Sequence, residues 1–419
     1  MHEFFLNHIF IKNFRAYKEF ECEFTDGVNL VIGDNGAGKT SLLKAIAYLL
    51  SSQLNDIGGR IHIDSVDPHV EVEKAGDSTL DIKENFPVEL SGEIKNRDDI
   101  VNDFTVIYED YTRSRLKGNI GLTKENGSNW SLISYQKFDR DWKLGKNTSK
   151  TIEVETGLNE RRDGYKDCLS GMGQEQNIQK WCLKMSMLEF ERRNTVKEFE
   201  RFKYIIKTFL QAIEDDEEEF EVSYSTGFSG LVMRKGEQVQ PLYELSTGYK
   251  ALLSMIMELA YRSVLLNPDK SIDDDSQAGI VIIDEIDAHL HPKWQWRVID
   301  ALRKCFPKVQ FIIATHSPIV IASAKDARLI DLGEKGEVFY SDGAYGYNVS
   351  DVLELKQGSR AMSRISKEYM DKLEEALDEG NLTEANRIAA AAKAEFGKDS
   401  PVYKELKGYL EVNRWVEDN

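Results

Sequence analysis

Apolar residues recur along this chain at two spacings, and the changes of spacing mark its elements. Over residues 3–13 and 16–24 apolar and polar positions alternate, which predicts two strands with one buried face. Residues 28–32 form an apolar run expected of a buried strand, and from 40 to 50 the apolar positions shift to helical spacing. Between about 56 and 86 the chain is rich in Asp, Gly and charged residues. Short alternating bursts such as Arg60-Ile61-His62-Ile63 there predict edge strands with exposed loops. Residues 104–108 and 132–135 read as further strands, separated by a polar hairpin region punctuated by Gly and Asn.

From about 163 to 213 the period is helical. Trp181, Leu183, Met185, Met187 and Leu188 carry it first, then Phe199, Phe202, Ile205, Ile206, Phe209 and Leu210, which predicts an inserted helical subdomain. The acidic run 214–219 is expected to be a solvated turn, because contiguous carboxylates repel and diverge rather than converge on a metal. Strands follow around 220–224, 230–233, 280–283, 311–314, 328–331 and 338–340. Residues 366–419 read as three short helices: Gly380 and Gly397 stand where helices end, and Ser400-Pro401 has a cap-then-proline layout. The run Ala389-Ala390-Ala391-Ala392 suits close packing of helical hairpins. The expected division is residues 1–345, with a helical insertion at about 160–213, and a carboxy-terminal helical module at 346–419.

With 419 residues, 41% of them hydrophobic, the chain can bury a large core as one big domain with appendages or as two domains. A formal net charge of -18 disfavours tight, sequence-independent binding of nucleic acid over the whole surface. One local exception is the stretch 180–207, where Arg192, Arg193, Lys197, Arg201, Lys203 and Lys207 outnumber the glutamates. It is either a solvated helix surface or a basic binding face. No apolar run reaches the roughly 20 residues that span a bilayer, and the start lacks a basic-then-apolar leader, so a cytoplasmic location and no membrane partner are expected. Cys22, Cys168, Cys182 and Cys305 lack metal-ligand spacing and read as buried thiols in a reducing compartment.

Four separated segments carry chemistry. In Gly33-Asp34-Asn35-Gly36-Ala37-Gly38-Lys39-Thr40-Ser41 the glycines let backbone N–H groups turn inward around phosphates at the positive end of the following helix. Gly33, Asn35, Gly36, Gly38, Lys39, Thr40 and Ser41 are therefore candidate ATP-binding residues, with Lys39 adding charge and the Thr40 hydroxyl suited to Mg²⁺. The strand at 280–283 delivers Asp284, a second Mg²⁺ candidate, and then Glu285, placed to orient or deprotonate the attacking water. A second apolar strand ends in Thr315-His316, whose imidazole can contact the γ-phosphate, and Ser317-Pro318 starts a helix.

In Leu245-Ser246-Thr247-Gly248-Tyr249-Lys250, Ser246 and Gly248 open a helix whose N–H groups can meet a phosphate. That helix is not expected to bend back to its own phosphate loop, so a two-fold mate would supply it and the chain would dimerise around ATP. Arg15 leans over the nucleotide or serves the surface. Gln136 completes Mg²⁺ or is a plain loop residue. Asp287 either faces the opposite subunit or caps a helix from Ala288 onward, and His289 and His291 read as supporting or packing residues.

On these residues the chain resembles the ABC-type ATPase heads of the RecF/SMC-like class. More narrowly it looks like the AAA-family ATPases of Septu and retron antiphage systems. The narrower likeness adds Asn13-Phe14-Arg15, Asp163-Gly164-Tyr165-Lys166-Asp167-Cys168-Leu169, Asp284-Glu285-Ile286-Asp287-Ala288-His289-Leu290-His291-Pro292 and the tail around Asp378-Glu379-Gly380-Asn381-Leu382. The resemblance implies an α/β fold with mixed sheets and flanking helices, binding of ATP and Mg²⁺, a homodimer assembled further, and a separately encoded HNH-type nuclease under its control. Nucleic acid would be reached through that complex. The insertion is too short for SMC coiled-coil arms, and the tail lacks the room and acidic pattern of a Toprim nuclease. A RecF-class clamp that binds DNA directly is the alternative. A transporter subunit fits poorly, because its signature would read Leu-Ser-Gly-Gly-Gln.

Overall fold

In the computed structural model the alternating amino-terminal segment pairs as two antiparallel strands, β1 (Phe4–Phe14) and β2 (Tyr17–Glu23), with Ile11 opposite Phe20. Described residues are 4–54, 66–74, 80–96, 101–118, 129–137, 160–171, 173–215, 220–225, 227–228, 230–333, 336–355, 364–398 and 400–417. The expectations for Arg60-Ile61-His62-Ile63, for 216–219 in the acidic run and for 119–128 of the hairpin region lie outside them.

The chain continues through β3 (Val28–Gly33), α1 (Lys39–Ser52) and the β4 (His69–Lys74) and β5 (Leu80–Asn85) pair. Then come β6 (Val88–Asn96), β7 (Val101–Tyr108), β8 (Ser114–Lys117) and β9 (Leu132–Lys137). A 3-10 turn at Arg161–Tyr165 leads to α2 (Glu175–Arg192) and α3 (Lys197–Glu214). These precede β10 (Phe220–Ser225), β11 (Gly230–Lys235) and β12 (Gln238–Pro241). The long helix α4 (Thr247–Leu266) is followed by β13 (Ala278–Asp284), α5 (Pro292–Gln295), α6 (Val298–Cys305), β14 (Lys308–Ala314), α7 (Pro318–Ser323), β15 (Arg328–Leu332) and β16 (Val338–Asp342).

Two sheets position the site. One is an antiparallel sheet in the order β2-β1-β6-β7-β8; the other has the order β16-β15-β3-β14-β13-β9. In the second, β15, β3, β14, β13 and β9 run parallel and only β16 runs against them. Parallel strands need cover on both faces, and the fully buried Ile280, Val281, Ile282 and Ile283 of β13 show that they have it. Helix α1 is apolar nearly all round and touches strands of both sheets. Gly92 in β6 admits that helix closely: a Cβ there would lie 2.6 Å from Leu49 Cδ2.

Helices α2 and α3 lie in the stretch read from the sequence as helical, and α3 packs on α4 and α6. The basic stretch is partly a structural feature. Arg201 is 2% exposed, donating from Nη1 to Asn267 O (3.1 Å) and from Nη2 to Ser263 Oγ (3.1 Å). Lys203 is paired with Glu189 and Glu200 and lies over the Phe199 ring, and Lys197 Nζ donates to Asp269 O at 2.6 Å. Arg192 and Arg193 stay exposed at the end of α2.

Helix α4 carries the most buried ion pair among the described residues. Arg262 and Glu258 are each 1% exposed and bond at 2.8 and 3.0 Å, while Arg262 Nη1 also donates to Gly164 O and Lys166 O, both at 2.9 Å. Replacing Glu258 by alanine is expected to cost roughly 3–5 kcal/mol of stability by stranding a buried guanidinium. A denaturant midpoint comparison checks this, and an unchanged midpoint would contradict it. Cys22, Cys168 and Cys182 are buried, Cys305 is half-buried and all four are free; burial pushes the Cys22, Cys168 and Cys305 thiols up to about 12. Among the described residues no helix is long and apolar enough to cross a membrane.

Contacts divide the chain into Met1–Val349 and Ser350–Asn419. Beyond α8 (Val349–Leu355), the second unit comprises α9 (Arg364–Asp378), α10 (Leu382–Phe396) and α11 (Pro401–Glu417), packed around Leu373, Ala385, Ala392 and Leu406. Of the alanine run, Ala389 and Ala392 enter this core while Ala390 and Ala391 are exposed. Gly380 (φ 69°) and Gly397 (φ 87°) take left-handed backbone at helix ends, and Ser400 Oγ accepts from Tyr403 N at 3.1 Å as a cap.

Candidate nucleotide site

The carboxyl ends of β3, β13 and β14 open into a cleft of ≈ 240 Å³. It is lined by Asn35, Gly36, Gly38, Lys39, Thr40 and Ser41 on one side and by Asp284, Glu285, Ala314, Thr315 and His316 on the other. In open α/β sheets this is where ligands bind. β3 ends at Gly33 with φ 135°, where a Cβ would lie 2.7 Å from Leu332 O, so only glycine lets the chain turn against β15. Gly38 (φ 104°) is the residue before α1, and its carbonyl accepts from the Tyr17 hydroxyl at 3.0 Å.

A Cβ on Gly38 would lie 2.5 Å from Tyr17 Oη. Gly38→Ala is therefore expected to weaken ATP binding about tenfold or more, from ~1–2 kcal/mol of left-handed strain plus that clash. Calorimetric titration checks it, and wild-type affinity would contradict it.

Lys39 is 8% exposed, and its ammonium donates to Gly33 O (2.7 Å) and Asp34 O (2.8 Å). Burial holds its pKa below the ordinary lysine value, an effect opposed by the nearby Asp34, Asp284, Glu285 and Asp287. The ammonium is thus folded onto its own loop at the rim where a triphosphate would accept the same donors.

Asp284 closes β13 at 6% exposure, with Oδ1 3.4 Å from Thr40 Oγ1 and Oδ2 accepting from the Tyr135 hydroxyl at 3.3 Å. A hydroxyl and a carboxylate set side by side form an all-oxygen donor set that fits Mg²⁺. When bound between them, Mg²⁺ would neutralise charge on the β- and γ-phosphates. Successive strand residues face opposite sides, yet Asp284 and Glu285 line the same cleft. The reason is that Glu285 leaves the strand with φ 56°, a left-handed conformation costing of order 1–3 kcal/mol for a residue with a side chain. Glu285 is exposed in the cleft, where its carboxylate can take a proton from water held beside a phosphate.

His316 faces the same cleft. Asp287 holds its backbone: Oδ1 accepts from Thr315 Oγ1 at 2.5 Å and from His316 N at 3.3 Å. No helix starts at Ala288. Its N–H bonds Glu285 O within a turn, and the next helix begins at Pro292, capped by His291 Nδ1. The cap reading of Asp287 is thereby corrected, because its carboxylate is engaged by the strand across from it. His291 packs by Trp294, and the His289 carbonyl sits where a Cβ of Gly248 would go.

Four expected participants stand apart from the cleft. Arg15 takes φ 48° beside Asp67, with Nε 3.3 Å from Asp67 Oδ2. Its Nη1 is buried without a hydrogen-bond partner, and only the adjacent Ala16 lines the cleft. Gln136 is 1% exposed and donates to Ser134 Oγ at 2.6 Å. The register pairs it with Ile283 and pairs Lys137 with Asp284, so alternation puts Gln136 and Asp284 on opposite faces of the sheet. Ser246 is exposed and caps α4 by accepting from Tyr249 N at 3.4 Å. Gly248 is buried against the His289 carbonyl, and neither lines the cleft.

Sequence reasoning missed Tyr17 and Tyr135; Asp331, on β15 beside β3, does not line the cleft. Burial, and then Asp34, raise the Asp331 carboxyl above its ordinary value, while Lys39 opposes the rise. Tyr17 and Tyr135 sit one residue after Ala16 and one before Gln136, so strand alternation was the signal that could have found Tyr135.

The RecF/RecN/SMC N terminal domain model matches residues 5–337. Among curated proteins the chain is 24% identical over 412 residues to "Retron Vc95 probable ATPase" of Vibrio cholerae, covering 82% of this chain and 78% of that one. It is 26% identical over 382 residues to "Septu protein PtuA" of Bacillus thuringiensis, covering 86% of each. A solved structure of an Smc head bound to the C-winged helix domain of ScpA aligns over 81% of this chain and 97% of that one, with a TM-score of 0.45 and 18% identity.

Proposed function

Because this chain belongs to the RecF/RecN/SMC N-terminal domain family, we propose that it is the ATP-hydrolysing regulatory subunit of an antiphage defence complex, closing as a dimer around ATP and controlling a separately encoded HNH-type nuclease. ATP hydrolysis is the activity. Lys39 and the loop N–H groups bind the triphosphate, Thr40 and Asp284 hold Mg²⁺, Glu285 acts on the attacking water, and His316 touches the γ-phosphate side.

One observation carries the reading. The cleft gathers every one of those residues, whereas Ser246 sits exposed at the start of a well-anchored helix outside it. The N–H groups at a helix N-terminus can meet a phosphate, and a two-fold mate would bring Ser246 to the other chain's cleft. Names of the similar proteins, a retron probable ATPase and Septu PtuA, support the defence setting.

The direct DNA clamp gains less support. Arg201 is buried and Lys203 is paired with two glutamates, which leaves a thinner basic face than the sequence suggested.

Co-expression with the protein encoded next to it tests the partner. A stable complex containing an HNH-type nuclease is expected, and recovery of this chain alone under mild conditions would contradict the reading.

A further inference from the structure

The segment Asp163–Leu169, singled out in the sequence but without a catalytic role, lies between the site and α4. Tyr165 is fully buried, stacks on Trp130 and donates to Ser131 O at 2.7 Å. Gly164 leaves no space for a side chain, since a Cβ there would lie 2.6 Å from Leu266 Cγ. Two carbonyls of the segment, those of Gly164 and Lys166, are gripped by Arg262 of α4, itself held by Glu258. The Cys168 carbonyl accepts from the Tyr135 backbone N–H at 2.7 Å. Tyr135 is 3% exposed on β9, and its hydroxyl reaches Asp284 Oδ2.

We propose that Tyr135 is a positioning residue for the Mg²⁺-binding carboxylate: its hydroxyl fixes Asp284 Oδ2, which turns Oδ1 toward Thr40, and the Asp163–Leu169 segment clamped to α4 keeps it there. The assignment deepens the ATPase reading and rests on it. A carboxylate free to rotate about its last bond presents either oxygen to the cleft. With Oδ2 bonded to a buried phenol, Oδ1 is the oxygen left beside the Thr40 hydroxyl. Gln136, the neighbouring residue read from the sequence as completing Mg²⁺ or as a plain loop residue, is on the other face of β9. The same chain of hydrogen bonds ends on Glu258 and Arg262 of α4, the helix that Ser246 opens. Carboxylate orientation and the placement of Ser246 therefore share one rigid support.

Partners that orient a metal ligand typically change metal affinity 10- to 100-fold when removed. The test is Mg²⁺-dependent binding of a fluorescent ATP analogue to the full chain, measured for wild type, Tyr135→Phe and Asp284→Asn, with parallel titrations in chelator and thermal unfolding without nucleotide. Tyr135→Phe is expected to raise the half-saturating Mg²⁺ concentration about tenfold, leaving binding in chelator and the unfolding midpoint unchanged. Asp284→Asn is expected to raise that concentration more. If Asp284→Asn shifts the Mg²⁺ requirement and Tyr135→Phe does not, the positioning role is overturned and the ATPase reading stands. If Asp284→Asn shifts nothing, the ATPase reading itself fails. If Tyr135→Phe lowers the unfolding midpoint and weakens binding equally with and without Mg²⁺, the hydroxyl is structural and the proposal is wrong.

Discussion

Replacing Glu285 with glutamine is expected to slow single-turnover ATP hydrolysis by roughly 10²–10⁴-fold, the usual contribution of a positioned general base, while ATP binding is retained. The side chain is exposed in the cleft, so replacing its carboxylate by an amide of the same shape should not disturb the loop. Its left-handed backbone, φ 56°, is kept equally well or badly by glutamine, so the change isolates the carboxylate. Wild-type rates in the variant would remove Glu285 from the mechanism.

The second large effect concerns Ser246. Arginine there loses an exposed cap, worth about 1 kcal/mol to the helix, so the chain should stay folded. Hydrolysis should nevertheless fall to background, because in the proposed dimer a bulky cation would replace the hydroxyl brought to the opposite chain's nucleotide. Lys39→Ala should also be inactive, from loss of the ammonium that lies in its own cleft. Mixed together, the two variants are expected to regain activity, since a hybrid dimer contains one cleft with an intact phosphate loop and an intact Ser246. No recovery on mixing, with hybrids verified by differential tagging, would place both residues in one chain's site.

Much of the site was legible because its elements are contiguous. A phosphate loop needs its glycines within a few residues between a strand and a helix, and the structure puts that loop where β3 meets α1. Asp284 and His316 could be located because each ends an apolar strand. Tyr17 was not legible, since it reaches the Gly38 carbonyl from another strand and nothing in its local sequence records the approach, whereas Tyr135 could have been found only by following the alternation of its strand to Asp284. Arg201 shows the same limit. Its partners, Asn267 and Ser263, lie more than sixty residues away, and a charge pattern cannot say which arginine of a run is drawn inward.

Strand β6 escaped notice although Val88, Leu90 and Ile94 are all buried on alternating positions. It follows a charged stretch and finds its partner, β1, some eighty residues earlier. β12 is only four residues long and ends in Pro241, too short for alternation to register. Asp287 was misjudged as a candidate helix cap because an Asp before Ala288 has the right composition. The strand end at Thr315 takes its carboxylate instead.

In the proposed dimer one chain lends Ser246 to the nucleotide held by the other. The direct measurement uses two tagged forms in a Glu285→Gln background, one carrying Asn35→Cys at the cleft and the other Ser246→Cys, joined by a short thiol cross-linker. Cross-links between the two differently tagged chains are predicted to form with ATP and Mg²⁺ and to vanish when ATP is withheld. Their absence at saturating ATP, or efficient cross-linking within a single chain carrying both cysteines, would contradict the shared site.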